Sequence, residues 1–171
     1  MPILQSGEKD IAALESLLNS AYRGEASKNG WTTEANLLKG ELRTDAATLR
    51  GLIQTPGAIF LKYVNAQNEI GGCVFLHQKE NRLYLGMLSV SPWIQAKGIG
   101  KQLMNAAENY AREKNCSSVF MKVISVRYEL VAWYERQGYR RTGETEPFPE
   151  DTRFGIPLQP LEFIILEKNL V

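Results

Sequence analysis

The stretch Val90-Ser91-Pro92-Trp93-Ile94-Gln95-Ala96-Lys97-Gly98-Ile99-Gly100-Lys101-Gln102-Leu103 lies between a run typical of a β-strand and a run typical of a helix. The first N–H groups of a helix have no partner within it, and the helix dipole favours anions at that end. Gly98 and Gly100 have no Cβ, so a phosphate can approach the main chain closely. The stretch therefore predicts a phosphate site at a strand-to-helix junction, with N–H donors from Gln95 through Lys101 and positive charge from its two lysines.

Three known phosphate-binding patterns are candidates for this stretch. A Walker loop would need glycine where Gln95 stands and Ser or Thr where Gln102 stands. A dinucleotide fingerprint would need a small residue at Leu103 and a parallel β-α-β unit around it. Both of these patterns fail. The third pattern, Gln/Arg-x-x-Gly-x-Gly/Ala, is matched in full by the six residues from Gln95 to Gly100.

Outward from the loop, apolar periodicity predicts the order of the elements. The order is one strand, two helices, three strands with short polar turns, a helix, a strand, a helix and two strands. This order is typical of a mixed α/β sheet with helices on its faces. The predicted strands are 2–5, 58–64, 70–77, 83–90, 118–124, 139–145 and 161–166, and the predicted helices are 8–22, one capped by Thr44 or Asp45, 98–114 and 127–137. A Pro-rich loop at 146–160 is expected to lie outside the core.

Composition limits the function classes. The chain has 171 residues, which suits one domain over 1–171, and 20 basic against 19 acidic side chains give a net charge of +1. Nucleic-acid binding usually requires a basic excess or cluster, and neither is found. No apolar run approaches the roughly 20 residues of a membrane span, and no signal peptide is evident. We therefore expect a cytoplasmic protein that binds neither nucleic acid nor membrane.

Cysteine and histidine are scarce. Cys73 and Cys116 are too few for a disulfide framework and lack metal-ligand spacing. His77 is the only histidine. We expect no metal site and interpret both cysteines as small buried residues.

Residues 83 to about 145 resemble the GCN5-related N-acetyltransferase (GNAT) family. The resemblance joins the glycine loop to Trp133-Tyr134-Glu135-Arg136-Gln137-Gly138-Tyr139, which follows after one further strand. The glycine loop alone is a weak signal, but the two segments together are specific. The resemblance implies a single-domain α/β (α+β) GNAT-like fold, with a mixed, mostly antiparallel sheet of about seven strands and about four helices. It also implies acetyl-CoA (coenzyme A) as the cosubstrate.

The resemblance further implies roles for individual residues. The strand before the loop would carry a bulge at Gly86 or Met87, and the strand 118–124 would splay away from it to form a cleft for the thioester. The Tyr134 hydroxyl would act as the general acid that protonates the departing thiolate, and the backbone N–H of Leu88 would stabilise the oxyanion. The implied cofactor-binding residues are Leu88, Ser89, Val90, Gln95, Ala96, Lys97, Gly98, Ile99, Gly100 and Lys101.

Other residues are open to two interpretations. Tyr134 could be a core residue of a packed helix. Glu34 could be the base or the anchor of the amine, or an ordinary carboxylate at a helix start. His77, Glu162 or a water chain could also take the proton. Trp31 and Phe148 could line the acceptor site or cap the edges of the core, and the acidic residues of 144–151 could attract a cation or be solvated. In one departure from the family, Arg127 stands where many members have Asn at the head of the helix that carries the tyrosine.

We predict direct transfer of acetyl from acetyl-CoA to an amine, with O-acetylation left open. The alternative is a non-catalytic acyl-CoA-binding module for regulation or assembly. The acceptor, a small molecule or a peptide amine, is not identified by the sequence, because specificity lies on loops. A homodimer is implied by the family alone.

Overall fold

The computed structural model describes residues 3–23, 27–28, 33–40, 42–94 and 98–170. Most of the long strands form where the sequence places mostly apolar residues between turns, whereas the strand Arg140–Pro147 is polar and almost entirely exposed. The strands are β1 (Ile3–Gln5), β2 (Leu38–Lys39), β3 (Ala58–Val64), β4 (Ile70–Lys79), β5 (Arg82–Val90), β6 (Ser118–Ile124), β7 (Arg140–Pro147), β8 (Ile156–Pro157) and β9 (Glu162–Asn169).

Seven of these strands form one sheet in the order β1-β3-β4-β5-β6-β9-β7. Strands β5 and β6 pair in parallel, and every other neighbouring pair is antiparallel. The predicted mixed, mostly antiparallel sheet is therefore confirmed. The single parallel pair lies at the centre, and β5 is the strand that precedes the glycine loop.

Four α-helices pack on this sheet within the described residues. They are α1 (Ile11–Tyr22, after a 3-10 turn at Glu8–Asp10), α2 (Ala46–Ile53), α3 (Ile99–Glu113) and α4 (Tyr128–Arg136). Asp45 caps α2, since its carboxylate accepts a hydrogen bond of 2.8 Å from the Thr48 N–H. The predicted number of helices is confirmed. Thr44 and Asp45 were the two predicted caps of α2, and Asp45 is the one that caps it. No described helix has the length and apolar character needed to cross a membrane.

The core has two parts, one on each face of the sheet. Cys73 and Phe75 of β4 pack with α1 and α2, whereas Val74 and Leu76 pack with α3 and α4. Side chains alternate between the faces of a strand, so a strand covered on both faces is apolar throughout. This explains the uninterrupted apolar run in β4.

Gly72 lets α3 approach the sheet closely. A Cβ at this position would lie 2.9 Å from Ile99 Cγ2, 2.9 Å from the Ser89 carbonyl oxygen and 3.0 Å from Leu103 Cδ1. These distances are shorter than normal contacts, so the absence of a side chain sets the position of α3. The beginning of α3, and with it the end of the glycine loop, depends on this contact.

A second, two-stranded sheet was not predicted. Strand β8 lies in the segment 146–160, which was predicted as a Pro-rich loop, and pairs antiparallel with β2. Strand β7 also extends to Pro147, beyond its predicted end. The prediction of a loop over 146–160 therefore missed these strand residues, because a strand of two residues is too short to show a periodicity.

Candidate active site

A cleft opens between β5 and β6. The two strands pair from Arg82↔Ser118 to Tyr84↔Phe120 and no further, although β5 continues to Val90 and β6 to Ile124. The space between them is a cavity of about 160 Å³, called here the β5–β6 cleft. The splaying expected from the sequence is present. The side chains with reactive or charged groups in its wall include Tyr22, Glu34, Arg43, Lys122, Arg127 and Tyr134.

A β-bulge shapes the β5 wall of the cleft. Ser89 is opposite Cys73 and Gly86 is opposite Phe75, so Met87 and Leu88 together face one residue of β4. Met87 has a φ of 53°, in the left-handed region, as the extra residue of a bulge can have. The bulge expected at Gly86 or Met87 is present, and both Met87 and Leu88 line the cleft.

Tyr22 fixes the bulge from the opposite side. This tyrosine is at the end of α1, and its hydroxyl donates a hydrogen bond to the Leu88 carbonyl oxygen. Burial raises the pKa of Tyr22 to about 12, so the phenol keeps its proton at neutral pH. The sequence predicts only that Tyr22 ends the helix 8–22, since nothing in the local sequence indicates a partner so distant along the chain.

Tyr134 extends from α4 into the same cleft. Its side chain is 5% exposed, and its ring packs edge-on against Trp133 and Tyr139, with centroids 5.3 and 6.2 Å away. The hydroxyl makes no hydrogen bond within the described part of the chain, and burial raises its pKa. Gly138, with a φ of 99°, ends α4 as predicted. A protonated phenol is thus held in the cleft with its donor available.

Glu34 lies buried between two arginines. Its carboxylate oxygens are 3.1 Å from Arg23 Nη2 and 3.5 Å from Arg127 Nη1. Arg127 also donates to the Thr33 carbonyl oxygen at 3.2 Å. The arginine that departs from the family pattern therefore binds the segment around Glu34. To act as a base, Glu34 would have to release one of these two ion pairs.

A second cavity of about 260 Å³, called here the side pocket, adjoins the β5–β6 cleft. Both cavities include Glu34, Arg43 and Phe163 in their walls. Phe148 lines the side pocket and packs against Phe163 with ring centroids 5.2 Å apart. Trp31, the other aromatic residue expected there, lies outside the described residues.

The glycine loop is described in part. Gln95, Ala96 and Lys97 lie outside the described residues. Gly98 has a φ of 81°, and the Cβ of a larger residue would meet no atom of the described residues within 4 Å, so these residues leave the space beside Gly98 open. Helix α3 begins at Ile99, which is buried with Gly100, whereas Lys101 is exposed. Open space at a helix N-terminus fits a phosphate group, and α3 is long enough to contribute a full dipole.

The other candidate residues are His77 and the acidic residues of the segment 144–151. His77 packs edge-on against Phe75, with centroids 6.1 Å apart, and belongs to neither cavity wall. In the acidic segment, Glu146 pairs with Lys122 at 2.8 Å and Asp151 pairs with Arg153 at 2.8 Å. No group of three or more metal-ligating side chains is found among the described residues.

Comparison with known proteins agrees with this geometry. Residues 12–139 match the sequence model of the Acetyltransferase (GNAT) family. N-acetylaspartate synthetase from Danio rerio is 29% identical over 128 residues, which cover 74% of this chain and 44% of that protein. An acetyltransferase from Agrobacterium fabrum is 26% identical over 83 residues, which cover 48% of this chain and 59% of that protein. This chain therefore spans less than two thirds of either curated relative.

The fold is also found among solved structures. The crystal structure of ribosomal-protein-alanine N-acetyltransferase from Brucella melitensis matches with a TM-score of 0.72 at 17% identity. The match covers 99% of this chain and 100% of that one. At this identity the likeness shows the fold alone, and it assigns no role to any individual residue of this chain.

Proposed function

The chain belongs to the acetyltransferase (GNAT) family, and from this premise we propose that it transfers an acetyl group from acetyl-CoA to an amine in a ternary complex. The observation that carries the proposal is the β5–β6 cleft, which is lined by both Tyr134 and the bulged strand at Leu88. We also propose that residues 1–171 form a single acetyltransferase domain.

The residues around the cleft fit acetyl-CoA. Beyond Tyr84 the edge of β5 has no β6 partner, so Leu88, Ser89 and Val90 can pair with the extended arm of the cosubstrate as with an added strand. The open N-terminus of α3, from Gly98 to Lys101, suits its phosphates. Gln95, Ala96 and Lys97 complete this site in the proposal. Acetyl-CoA itself supplies the acetyl group as a reactive thioester.

The chain supplies an acid and an oxyanion donor. The Leu88 N–H is assigned to the carbonyl oxygen that gains negative charge during attack. Tyr134 is assigned the protonation of the departing sulfur. A phenol with a raised pKa keeps its proton until a base is formed beside it. The burial that raises the pKa of the phenol would also raise that of a thiolate in the same cleft, so proton transfer between them stays feasible.

Removal of the proton from the amine needs no single base. Glu34 is the one carboxylate in the described wall of the cleft, but both of its oxygens are engaged with arginines. Its role as base or amine anchor stays a prediction, and water in the cleft is the other route. The homodimer implied by the family also stays a prediction, which sedimentation analysis checks.

Titration of thermal stability with acetyl-CoA, ATP and NAD tests the proposed cosubstrate. A ligand that binds only the folded state adds about 2.7 kcal/mol at a hundredfold excess over its dissociation constant, so a clear rise of Tm with acetyl-CoA alone is expected. Release of free thiol in the presence of an amine panel then tests transfer. A rise of Tm without thiol release for any amine would favour a non-catalytic binding module, and no rise at millimolar acetyl-CoA would contradict the cosubstrate.

A further inference from the structure

Charge in the two cavities is unbalanced. Arg153 pairs with Asp151, and Lys122 pairs with Glu146, so these cations are neutralised locally. The remaining charged groups in the cavity walls are the guanidinium groups of Arg23, Arg43 and Arg127 and the carboxylate of Glu34. Counted over the described residues alone, three positive charges against one negative charge leave a net charge of two positive around the place where an acceptor would bind.

Arg23 is buried with part of its hydrogen-bonding capacity unused. Its side chain is 2% exposed, and Nη2 contacts Glu34 and the Phe154 carbonyl oxygen. Nε and Nη1 are buried and have no hydrogen-bond partner among the described residues. Arginine does not lose its proton in proteins, and a buried donor without a partner is unfavourable. An anion bound near Arg23 would offset the cost of burying these unpaired donors.

Arg43 lies where the two cavities meet. Its guanidinium carbon is 5.3 Å from the centroid of the Tyr22 ring, and Arg127 lies 6.0 Å from the same ring. Within the described chain, Arg43 has no carboxylate partner. A planar guanidinium that packs on an aromatic ring keeps its N–H fork oriented, and this fork matches a carboxylate in geometry.

We propose that the acceptor is a small amine that also bears a carboxylate, and that Arg43 binds this carboxylate at the junction of the cleft and the side pocket. This inference rests on the proposed acetyl transfer. The enclosed volume of about 260 Å³ favours a small molecule, and Phe148 and Phe163 offer apolar walls to its carbon skeleton. The arginines have a second effect, because nearby positive charge disfavours an ammonium ion and so favours the free amine that attacks.

The test compares matched acceptors. The twenty common L-amino acids, the corresponding L-amino acid amides and O-phosphoethanolamine are each incubated with the protein and acetyl-CoA, and thiol release is followed. At least one acid is expected to have a kcat/KM about 10- to 100-fold above that of its amide, the size of a charge-assisted hydrogen bond. Equal rates for acids and amides would overturn the inference, as would preference for the phosphorylated amine.

Variants of Arg43 assign the effect to this residue. Arg43→Gln is expected to raise KM for the acid by about 10- to 100-fold while the amide is unaffected, and Arg43→Lys should fall between Gln and wild type. Arg50→Gln is the control, since Arg50 is 51% exposed, pairs with Glu8 and lines neither cavity. An equal effect of Arg43→Gln on acid and amide would contradict carboxylate binding by Arg43.

A binding readout separates this inference from the proposed function. Titration calorimetry with the N-acetyl form of the preferred amino acid should show an affinity about tenfold weaker in Arg43→Gln than in wild type. Thermal unfolding of each variant verifies that it is folded. Thiol release from no amine would contradict the acetyl transfer itself, and the acceptor inference would fall with it. Release from amines without any carboxylate preference would leave the transfer intact and remove only the inference.

Discussion

The proposed chemistry depends on the hydroxyl group of Tyr134. Tyr134→Phe removes the donor and keeps the ring that packs between Trp133 and Tyr139. A general acid contributes about 10²- to 10⁴-fold, so kcat should fall by that factor while the Kd of acetyl-CoA changes little. Steady-state kinetics and a thermal-shift titration measure the two quantities.

Tyr128 provides the control for this substitution. It lies on the same helix but is 70% exposed, and Tyr128→Phe should leave both kcat and the Kd unchanged. Wild-type turnover in Tyr134→Phe would rule out the proposed acid and leave Tyr134 as a core residue of α4.

Single residues differ in how far the sequence predicts them. Gly98 and Tyr134 belong to segments that resemble a known family, and their placement at a helix start and in the cleft agrees with that resemblance. Tyr22 and Arg43 belong to no motif. Their importance comes from contacts between segments distant in sequence, and such contacts leave no local periodicity or spacing to detect.

Among the elements, α3 depends on the absence of a side chain at Gly72. Gly72→Ala would place a Cβ 2.9 Å from the Ser89 carbonyl oxygen and from Ile99, so α3 or β5 must move. Overpacking of this kind costs about 1–3 kcal/mol of the free energy of unfolding, which urea denaturation measures. Because Ile99 begins α3, weaker binding of acetyl-CoA should accompany the loss of stability.

Gly51→Ala is the control at the same scale. Gly51 is exposed within α2, and an added Cβ meets no atom within 4 Å. Alanine favours helix over glycine by up to about 1 kcal/mol, so this variant should be as stable as wild type or more stable. If Gly72→Ala behaved in the same way, the close approach would have no energetic role.

The long elements were predictable because each shows its own period over seven residues or more. β3 and β6 have the bounds that the sequence predicts, and the ends of α3 and α4 differ by one residue. The pair β2 and β8 was missed, since neither strand is long enough to alternate and each pairs only with the other.

At the scale of the whole molecule, stability should fall in alkaline solution. Burial raises the pKa of the Cys73 thiol from 9.0 to about 12 and that of Tyr22 to about 12. The unfolded chain releases these protons at lower pH than the folded chain does. The stabilisation is therefore complete below pH 9 and is lost as the pH rises toward 12. Between pH 9 and 10, ionisation of Cys73 in the unfolded chain alone should lower the free energy of unfolding by about 1 kcal/mol.

Urea denaturation at several pH values measures this slope. Cys73→Ala removes the ionising group, so its free energy of unfolding should decline less between pH 9 and 10, even though its stability at pH 7 is lower. An identical slope in the variant and the wild type would show that the Cys73 thiol does not govern the alkaline loss.

The order of the strands in the sheet could not be read from the sequence. β9, the last strand, lies between β6 and β7, which precede it. Such an order is fixed by pairing between segments far apart in the chain, and the periodicity of a strand does not name its neighbour.

The small sheet of β2 and β8 has a consequence for recombination between homologous genes. Its two strands join the segment near Glu34 to the segment that carries Phe154, and the Leu158 N–H donates to the Leu37 carbonyl oxygen at 2.9 Å. A chimera that takes only one of these segments from a relative would pair mismatched strands beside the side pocket. Crossover points that transfer both segments together should preserve this pairing, so the two distant stretches of the gene are expected to be inherited as one unit.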